Sequence, residues 1–256
     1  MAVMDKERLK EQWLKEERAA HIQGWDFSHI QGRYEEENDL PWSYRAVIEQ
    51  YLESRYRLLD LDTGGGEFLL SLRHPYSNTS ATEAYPPNVR LCEKTLCPLG
   101  VDFHRADASE DLPFEDEAFD IVINRHGSFC VSELHRVAKR GGIFITEQVG
   151  AENDRALVEL LLPGTELPFP EMRLKLVSKR FQKAGFVILQ SQEAFRPIKF
   201  YDVGAFVWFA HVIAWEFPGF TVEKCLKELY RAQEILEQTG CLEGQIHRFL
   251  LAARKA

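Results

Sequence analysis

From residue 58 onward the apolar positions of the chain switch between two periods. Strand-length segments over 58–62, 80–83, 101–105, 119–123 and 142–147, the first of them an apolar run, alternate with three-to-four spacing near 67–72, 88–96 and 132–139. That order predicts parallel βαβ units, because parallel strands need a crossover and a helix is the usual one. Gly141 and Gly142 read as the stop of the third of these helices. After Gly150 the pattern loosens. It predicts a short helix over 155–162, a helix ending near Ala184, an alternating strand over 186–192, an amphipathic helix over 221–238 and a final strand over 246–252. Residues 198–220, between the two late strands, are densely aromatic and read as an insertion. Ahead of the first strand, residues 1–20 read as a charged helix with Leu9, Trp13 and Leu14 on one side. Residues 21–42 read as irregular, and a second helix follows over 43–53. The expected division is an N-terminal helical lid over 1–45 and a main domain over 46–256, interrupted at about 195–240.

The first strand carries the chemistry. It ends in Asp60 and Asp62, then breaks into Thr63, Gly64, Gly65 and Gly66 before a helix begins at Glu67. Glycine has no Cβ, so such a loop lets bare backbone approach a ligand. A dinucleotide fingerprint, G-x-G-x-x-G, fails here because counting from Gly64 puts Leu69 where the third glycine belongs. That disfavours a nicotinamide-dependent oxidoreductase. The other common user of a glycine loop after a strand is S-adenosylmethionine (SAM). The second strand ends in Glu83, about 17 residues beyond Gly66, where a carboxylate can accept two ribose hydroxyls. On this reading, replacing Glu83 by alanine weakens cofactor binding and leaves the fold intact.

With Arg105–Ala108, the segment LPFEDEAFDIVINRHGSF and the segment ELHRVAKRGGIFITEQVG in order behind them, these motifs resemble the class I SAM-dependent methyltransferases of the type 11 kind, from about Leu58 to Gly150. The resemblance implies a doubly wound, mostly parallel α/β sheet of Rossmann-like form, with seven strands and the last one antiparallel. It implies a cofactor site of Asp60, Asp62, Thr63, Gly64, Gly65, Gly66, Glu83, Ala84, Tyr85, Asp107, Ala108 and Asn124. Within it, Asp60 would fix the loop or reach the methionine ammonium, and Tyr85 would pack on the adenine. Asp107 would accept from the adenine amino group, Ala108 would offer its amide to the ring, and Asn124 would hold the ammonium through a carbonyl. Asp62 departs from the pattern, since the family has glycine there. His126 is the candidate base or acceptor-orienting group. Glu147 and Gln148 lie on the catalytic edge, and Trp25, Asp26 and Trp208 are the substrate or lid candidates. For most of the late aromatics, a hydrophobic core for accessory helices is an equally good reading.

Composition narrows the partners. A net charge of -9 argues against a polyphosphate substrate. The basic run Arg173, Lys175, Lys179, Arg180 and Lys183 reads as the wet side of a helix whose dry side carries Leu174, Val177 and Phe181. The five cysteines are scattered without metal-ligand spacing, so no metal is expected. No apolar run reaches the length of a membrane span, and the charged start lacks a signal-peptide core, which reads as cytoplasmic. The expected function is methyl transfer from SAM to a small-molecule acceptor by in-line displacement, leaving S-adenosylhomocysteine, in a monomer or homodimer. The alternatives are an RNA-base methyltransferase and a non-catalytic SAM-binding sensor or partner subunit.

Overall fold

The computed structural model describes residues 3–21, 26–37 and 39–256. The chain opens on helix α1 (Val3–Ala19), strand β1 (Tyr34–Glu36) and helix α2 (Tyr44–Tyr51). The alternating region comprises β2 (Leu58–Leu61), α3 (Glu67–Ser71), β3 (Thr79–Glu83), α4 (Pro86–Thr95), β4 (Asp102–Arg105), β5 (Phe119–Arg125), α5 (Val131–Val137) and β6 (Ala138–Val149). Then come α6 (Arg155–Leu161), α7 (Leu174–Lys183), β7 (Phe186–Phe200), α8 (Val203–Val212), α9 (Leu226–Thr239) and β8 (Leu242–Lys255).

The strand order is β1-β7-β8-β6-β5-β2-β3-β4. Strand β2 pairs in parallel with β3 and with β5, β3 with β4, and β5 with β6, whereas β8 runs antiparallel to β6. The chain therefore winds outward one way from β2 and then the other. The carboxyl ends of β2 and β5 flank the switch point, where open α/β sheets form their ligand crevice. The antiparallel last strand agrees with expectation, but the sheet has eight strands among the described residues rather than seven. The additional one is β1, which pairs antiparallel with Ile198–Phe200. Three residues at a sheet edge carry too little alternation to announce a strand.

The glycine pair also does something other than expected. Helix α5 stops at Val137, and β6 has already begun at Ala138. Phe119 pairs with Ala138 but Ile121 pairs with Ile143, so Gly141 and Gly142 lie in a bulge. Gly141 takes φ +79°, and a Cβ on Gly142 would lie 2.8 Å from the Lys139 carbonyl oxygen. The pair shapes a bulged strand instead of ending a helix.

The chain divides into two compact units. One takes residues 41–150, 171–194 and 248–256. Its central strands are buried on both faces, which is why they read as unbroken apolar runs. Successive residues alternate between two cores: Leu59, Val122, Phe144 and Phe181 pack in one, and Leu58, Ile121, Ile123 and Ile145 in the other. Val177 and Phe181 form the buried side of α7, opposite its basic side chains.

The other unit takes residues 1–40, 151–170 and 195–247, with its own core around Trp13, Phe200, Phe206, Trp208 and Phe217. Residues 203–210 of α8 are all buried, as expected of a helix that is apolar all round. Trp208, expected on a substrate-facing lid, is instead 1 % exposed in this interior, stacked on His29 at 5.3 Å. Asp202 caps α8 and takes a two-pronged hydrogen bond from Arg33 at 2.7 and 2.8 Å. Asp26 is exposed and accepts from the Ser28 amide at 2.8 Å, while Trp25 lies outside the described residues. Among the described residues no helix is long and apolar enough to cross a membrane.

A candidate cofactor site at the strand ends

The loop after β2 is built from backbone conformations that side chains resist. Gly64 and Gly66 take φ of +65° and +83°, and Asp62 takes +54°. A Cβ on Gly66 would lie 2.8 Å from Leu96 Cδ2 in the core, so glycine is required there by contact as well as by conformation. Asp62 manages the left-handed region because a short polar side chain can bond locally, which few other residues do. The loop is tied down at both ends. The Thr63 amide donates to the Thr82 carbonyl at 3.0 Å, and the Thr63 hydroxyl donates to Asp60 Oδ2 at 2.6 Å. Asp60 thus ties the loop to the strand end through Thr63.

Glu83, at the end of β3, is buried and accepts four protein donors. These are the amides of Gly64 (2.9 Å), Ala84 (2.9 Å) and Tyr85 (2.8 Å), and the Asn88 side chain (3.2 Å). A carboxylate offers about four lone-pair sites, so these donors fill it. The residue stitches the glycine loop to the turn before α4. Tyr85, 61 % exposed, caps that helix with Pro86 behind it. Cys92, whose thiol is pushed up to about 12 by burial first and then by Glu83, stays protonated and donates to the Gly64 carbonyl at 3.2 Å.

Past β4, Asp107 is exposed and receives the Ser109 amide and hydroxyl at 2.8 and 2.6 Å, which hold its carboxyl below the ordinary range. The backbone of Ser128 and Ala108 faces the Asp62 carboxyl and partly offsets the rise of its pKa. The Ala108 amide expected to serve an adenine ring thus faces an acid of the same loop cluster. The Asp62 side chain also lies on Gly127: a Cβ there would come within 2.6 Å of Asp62 Oδ2. The two positions are complementary, one carrying a carboxylate and the other having no side chain to collide with it.

The electrostatics are one-sided. Burial, foremost, raises the Asp60 carboxyl to about 7, against the Thr63 hydrogen bond and with help from Asp62 and Glu83. Burial likewise raises Asp62 to about 7, followed by the charges of Glu83 and Asp107. Among the described residues, Asp60, Asp62, Glu83 and Asp107 form no ion pair.

The ends of β5 and β6 make the neighbouring edge. The Asn124 side chain is wholly buried, donating to the Leu61 carbonyl at 3.1 Å and accepting from Gln148 at 2.6 Å. Its main-chain carbonyl accepts from the Tyr44 hydroxyl at 3.0 Å. Asn124 and Gln148, expected to touch ligand, are placed as latches across β2, β5 and β6. Glu147 is buried and accepts from Trp42 Nε1 at 2.8 Å and Arg125 Nε at 3.1 Å. His126 stands at φ +59°, its Nε2 3.7 Å from Glu147 Oε1. Its side chain is 31 % exposed, and partial desolvation, then Arg248 and Arg125, lower its pKa. The ring is neutral at pH 7 and a poor proton acceptor, since general bases work best with a pKa near the working pH. It suits an orienting role more than that of a base.

The sequence thus brought Asp60, Asp62, the glycines, Glu83, Asp107 and Ala108 to one crevice. It missed the roles of Tyr44, Trp42, Asn88 and Gly127. Trp42 and Tyr44 stood out only as aromatics in an irregular stretch, and nothing local marks their partners.

A methyltransferase domain family matches residues 59–146, the span that holds the residues of this site except Trp42, Tyr44, Glu147 and Gln148. Phthiotriol/phenolphthiotriol dimycocerosates methyltransferase of Mycobacterium tuberculosis is 36% identical over 111 residues, 41% of this chain and 40% of the relative. Demethylmenaquinone methyltransferase of Thermus thermophilus is 34% identical over 134 residues, 45% of this chain and 60% of the relative. The chain thus spans only part of the length of the curated relatives it matches. Among solved structures, the YcgJ protein of Bacillus subtilis aligns with a TM-score of 0.56 at 20% identity, covering 83% of this chain and 97% of that one. The [4+2]-cyclase SpnF aligns at 0.52 and 19% identity, covering 86% and 84%. At those identities the structural likeness shows the fold alone, and the cyclase shows that the fold also hosts other chemistry. The sheet topology, the glycine loop and the family match together identify a class I methyltransferase domain in this chain, with its motif region between residues 59 and 146.

Proposed function

We propose that this chain uses SAM to methylate a small-molecule acceptor. The observation that carries the reading is the strand-end cluster: a glycine loop with two left-handed glycines, flanked by acids that make no ion pair among the described residues. That donor and charge set fits a ligand with a ribose and two positive centres, a sulfonium and an ammonium. The curated relatives support a small acceptor, being named for phthiotriol or phenolphthiotriol dimycocerosates and for demethylmenaquinone.

When bound, SAM supplies a methyl group made electrophilic by its positive sulfur. The chain's own residues bind, orient and exclude water. The loop at Thr63–Gly66 would lie along the cofactor, and Asp60 holds that loop in place. Glu83 would accept ribose hydroxyls by exchanging donors, Asn88 being its longest contact at 3.2 Å. Tyr85 offers an exposed ring to the adenine. His126, neutral and beside Glu147, would orient the acceptor rather than deprotonate it. Orientation of this kind contributes about 7–11 kcal/mol to a two-reactant step.

The test is incubation of the purified chain with methyl-labelled SAM and fractionated small-molecule extracts, beside calorimetric titration with SAM. Transfer of label to a low-molecular-weight product is expected. SAM binding without transfer to any fraction would favour the sensor reading, and absence of SAM binding would end the proposal.

A further inference from the structure

Asp62 puts an acid among the strand-end carboxyls where the loop is expected to carry glycine. Its carboxyl faces the backbone that follows β4 and β5, and Gly127 leaves room for it. The charged groups that face it are Asp60 from β2, Glu83 from β3 and Asp107 from the β4 end. All are acids, and among the described residues none has a cationic partner. Burial and the neighbouring acids disfavour ionisation of Asp60 and Asp62, and four carboxyls gathered without a counter-charge favour a cation brought among them. SAM and its product differ in this respect. The sulfur of SAM is positive and that of S-adenosylhomocysteine is neutral, while the rest of the two molecules is the same apart from the methyl group.

We infer that Asp62 is a specificity-determining residue that makes this site prefer the sulfonium form of the cofactor over its neutral thioether product. The inference rests on the SAM reading above. It gives the substitution a purpose: a site that discriminates by charge holds the donor and releases the spent product. It also predicts that binding is coupled to protons, since acids protonated in the free site must ionise to meet a cation. Burial and mutual repulsion hold Asp60 and Asp62 at about 7, so that coupling falls in the neutral range. Above that range the carboxylates are charged and favour SAM, and below it the preference fades.

The experiment is calorimetric titration of the whole chain with SAM and, separately, with S-adenosylhomocysteine, for wild type, Asp62→Asn and Asp62→Gly. Asparagine keeps the shape and tolerates the left-handed backbone, and glycine restores the family residue. Thermal melting of each variant establishes that it folds, and either folded variant suffices. The ratio of the two dissociation constants is expected to move roughly five- to tenfold towards the thioether when the charge is removed, mainly through weaker SAM binding. In wild type, SAM binding should release protons, seen as a binding enthalpy that changes with buffer, and this release should shrink in Asp62→Asn. A ratio within about twofold of wild type in the folded variants overturns the inference while leaving the SAM site standing. If wild type binds neither ligand, the SAM reading falls and the inference with it.

Discussion

Replacing Glu83 by alanine removes one carboxylate and strands four donors, which makes it a probe of the loop as well as of the ligand. The amides of Gly64, Ala84 and Tyr85 and the Asn88 side chain all end on this group, at 2.8 to 3.2 Å. A buried donor left without an acceptor costs about 1–3 kcal/mol. Tyr85 is exposed, so its amide and part of the turn regain water, and two of the four donors bear most of the loss. The expected destabilisation is about 3 kcal/mol, which for a chain of this size lowers Tm by about 6–12 °C. Affinity for SAM falls too, but through two routes: a lost acceptor for the ribose and a looser glycine loop. The sequence alone suggested a pure binding defect with the fold untouched. Differential scanning calorimetry without ligand separates the two cases. A Tm within 1 °C of wild type would refute the argument that Glu83 holds the loop, whatever happened to binding.

Other perturbations read different parts of the site. Asp60 and Asp62 have folded carboxyls raised to about 7 from an ordinary 3.8, so their contribution to stability is full below pH 4 and is lost as pH rises through 7. Stability followed by urea unfolding should therefore fall between about pH 4 and pH 7, by up to about 1.4 kcal/mol per pH unit for each titrating group, and Asp62→Asn should flatten the slope. Gly64→Ala meets open space and carries only the left-handed penalty of about 1 kcal/mol, whereas Gly66→Ala also drives a Cβ to 2.8 Å from Leu96 and should lose clearly more. Equal melting temperatures for the two would contradict this. Trp42→Phe deletes the indole donor to buried Glu147 and should cost about 2 kcal/mol, read as a Tm drop of about 4–8 °C. His126→Ala should lower turnover without removing an ionisation near pH 6.5 from the rate profile, because the imidazole is already neutral there; loss of such a limb would restore it as a base.

Much of the methyltransferase unit could be read locally. Strand β2 and the middles of β5 and β6 are buried on both faces and read as apolar runs, whereas β3 (Thr79–Glu83) is buried but polar and β4 (Asp102–Arg105) lies partly exposed at the sheet edge. Glu83 and Asp60 were legible because strand ends in a parallel sheet converge on one edge, which turns spacing along the chain into proximity. The exceptions follow from the same physics. Strand β1 is three residues long and owes its existence to pairing with Ile198–Phe200, far away in sequence. The Gly141-Gly142 pair looks like a helix stop because a left-handed glycine ends many helices, yet the same backbone also makes a bulge. Only the pairing of Phe119 with Ala138 decides between them.

What the sequence by itself determined is the chemistry on offer: an α/β sheet, a glycine loop and the acids at its strand ends. These depend on near-neighbour spacing and on what glycine and carboxylate can do. Tertiary structure alone decided how those groups are used. It filled Glu83 with four protein donors, aimed Asp62 at the backbone of Ala108 and Ser128, turned Asn124 and Gln148 into a latch, and sent Trp208 into a core. A hydrogen bond and a buried ring each need a partner, and those partners lie tens of residues away, where no periodicity along the chain can point to them.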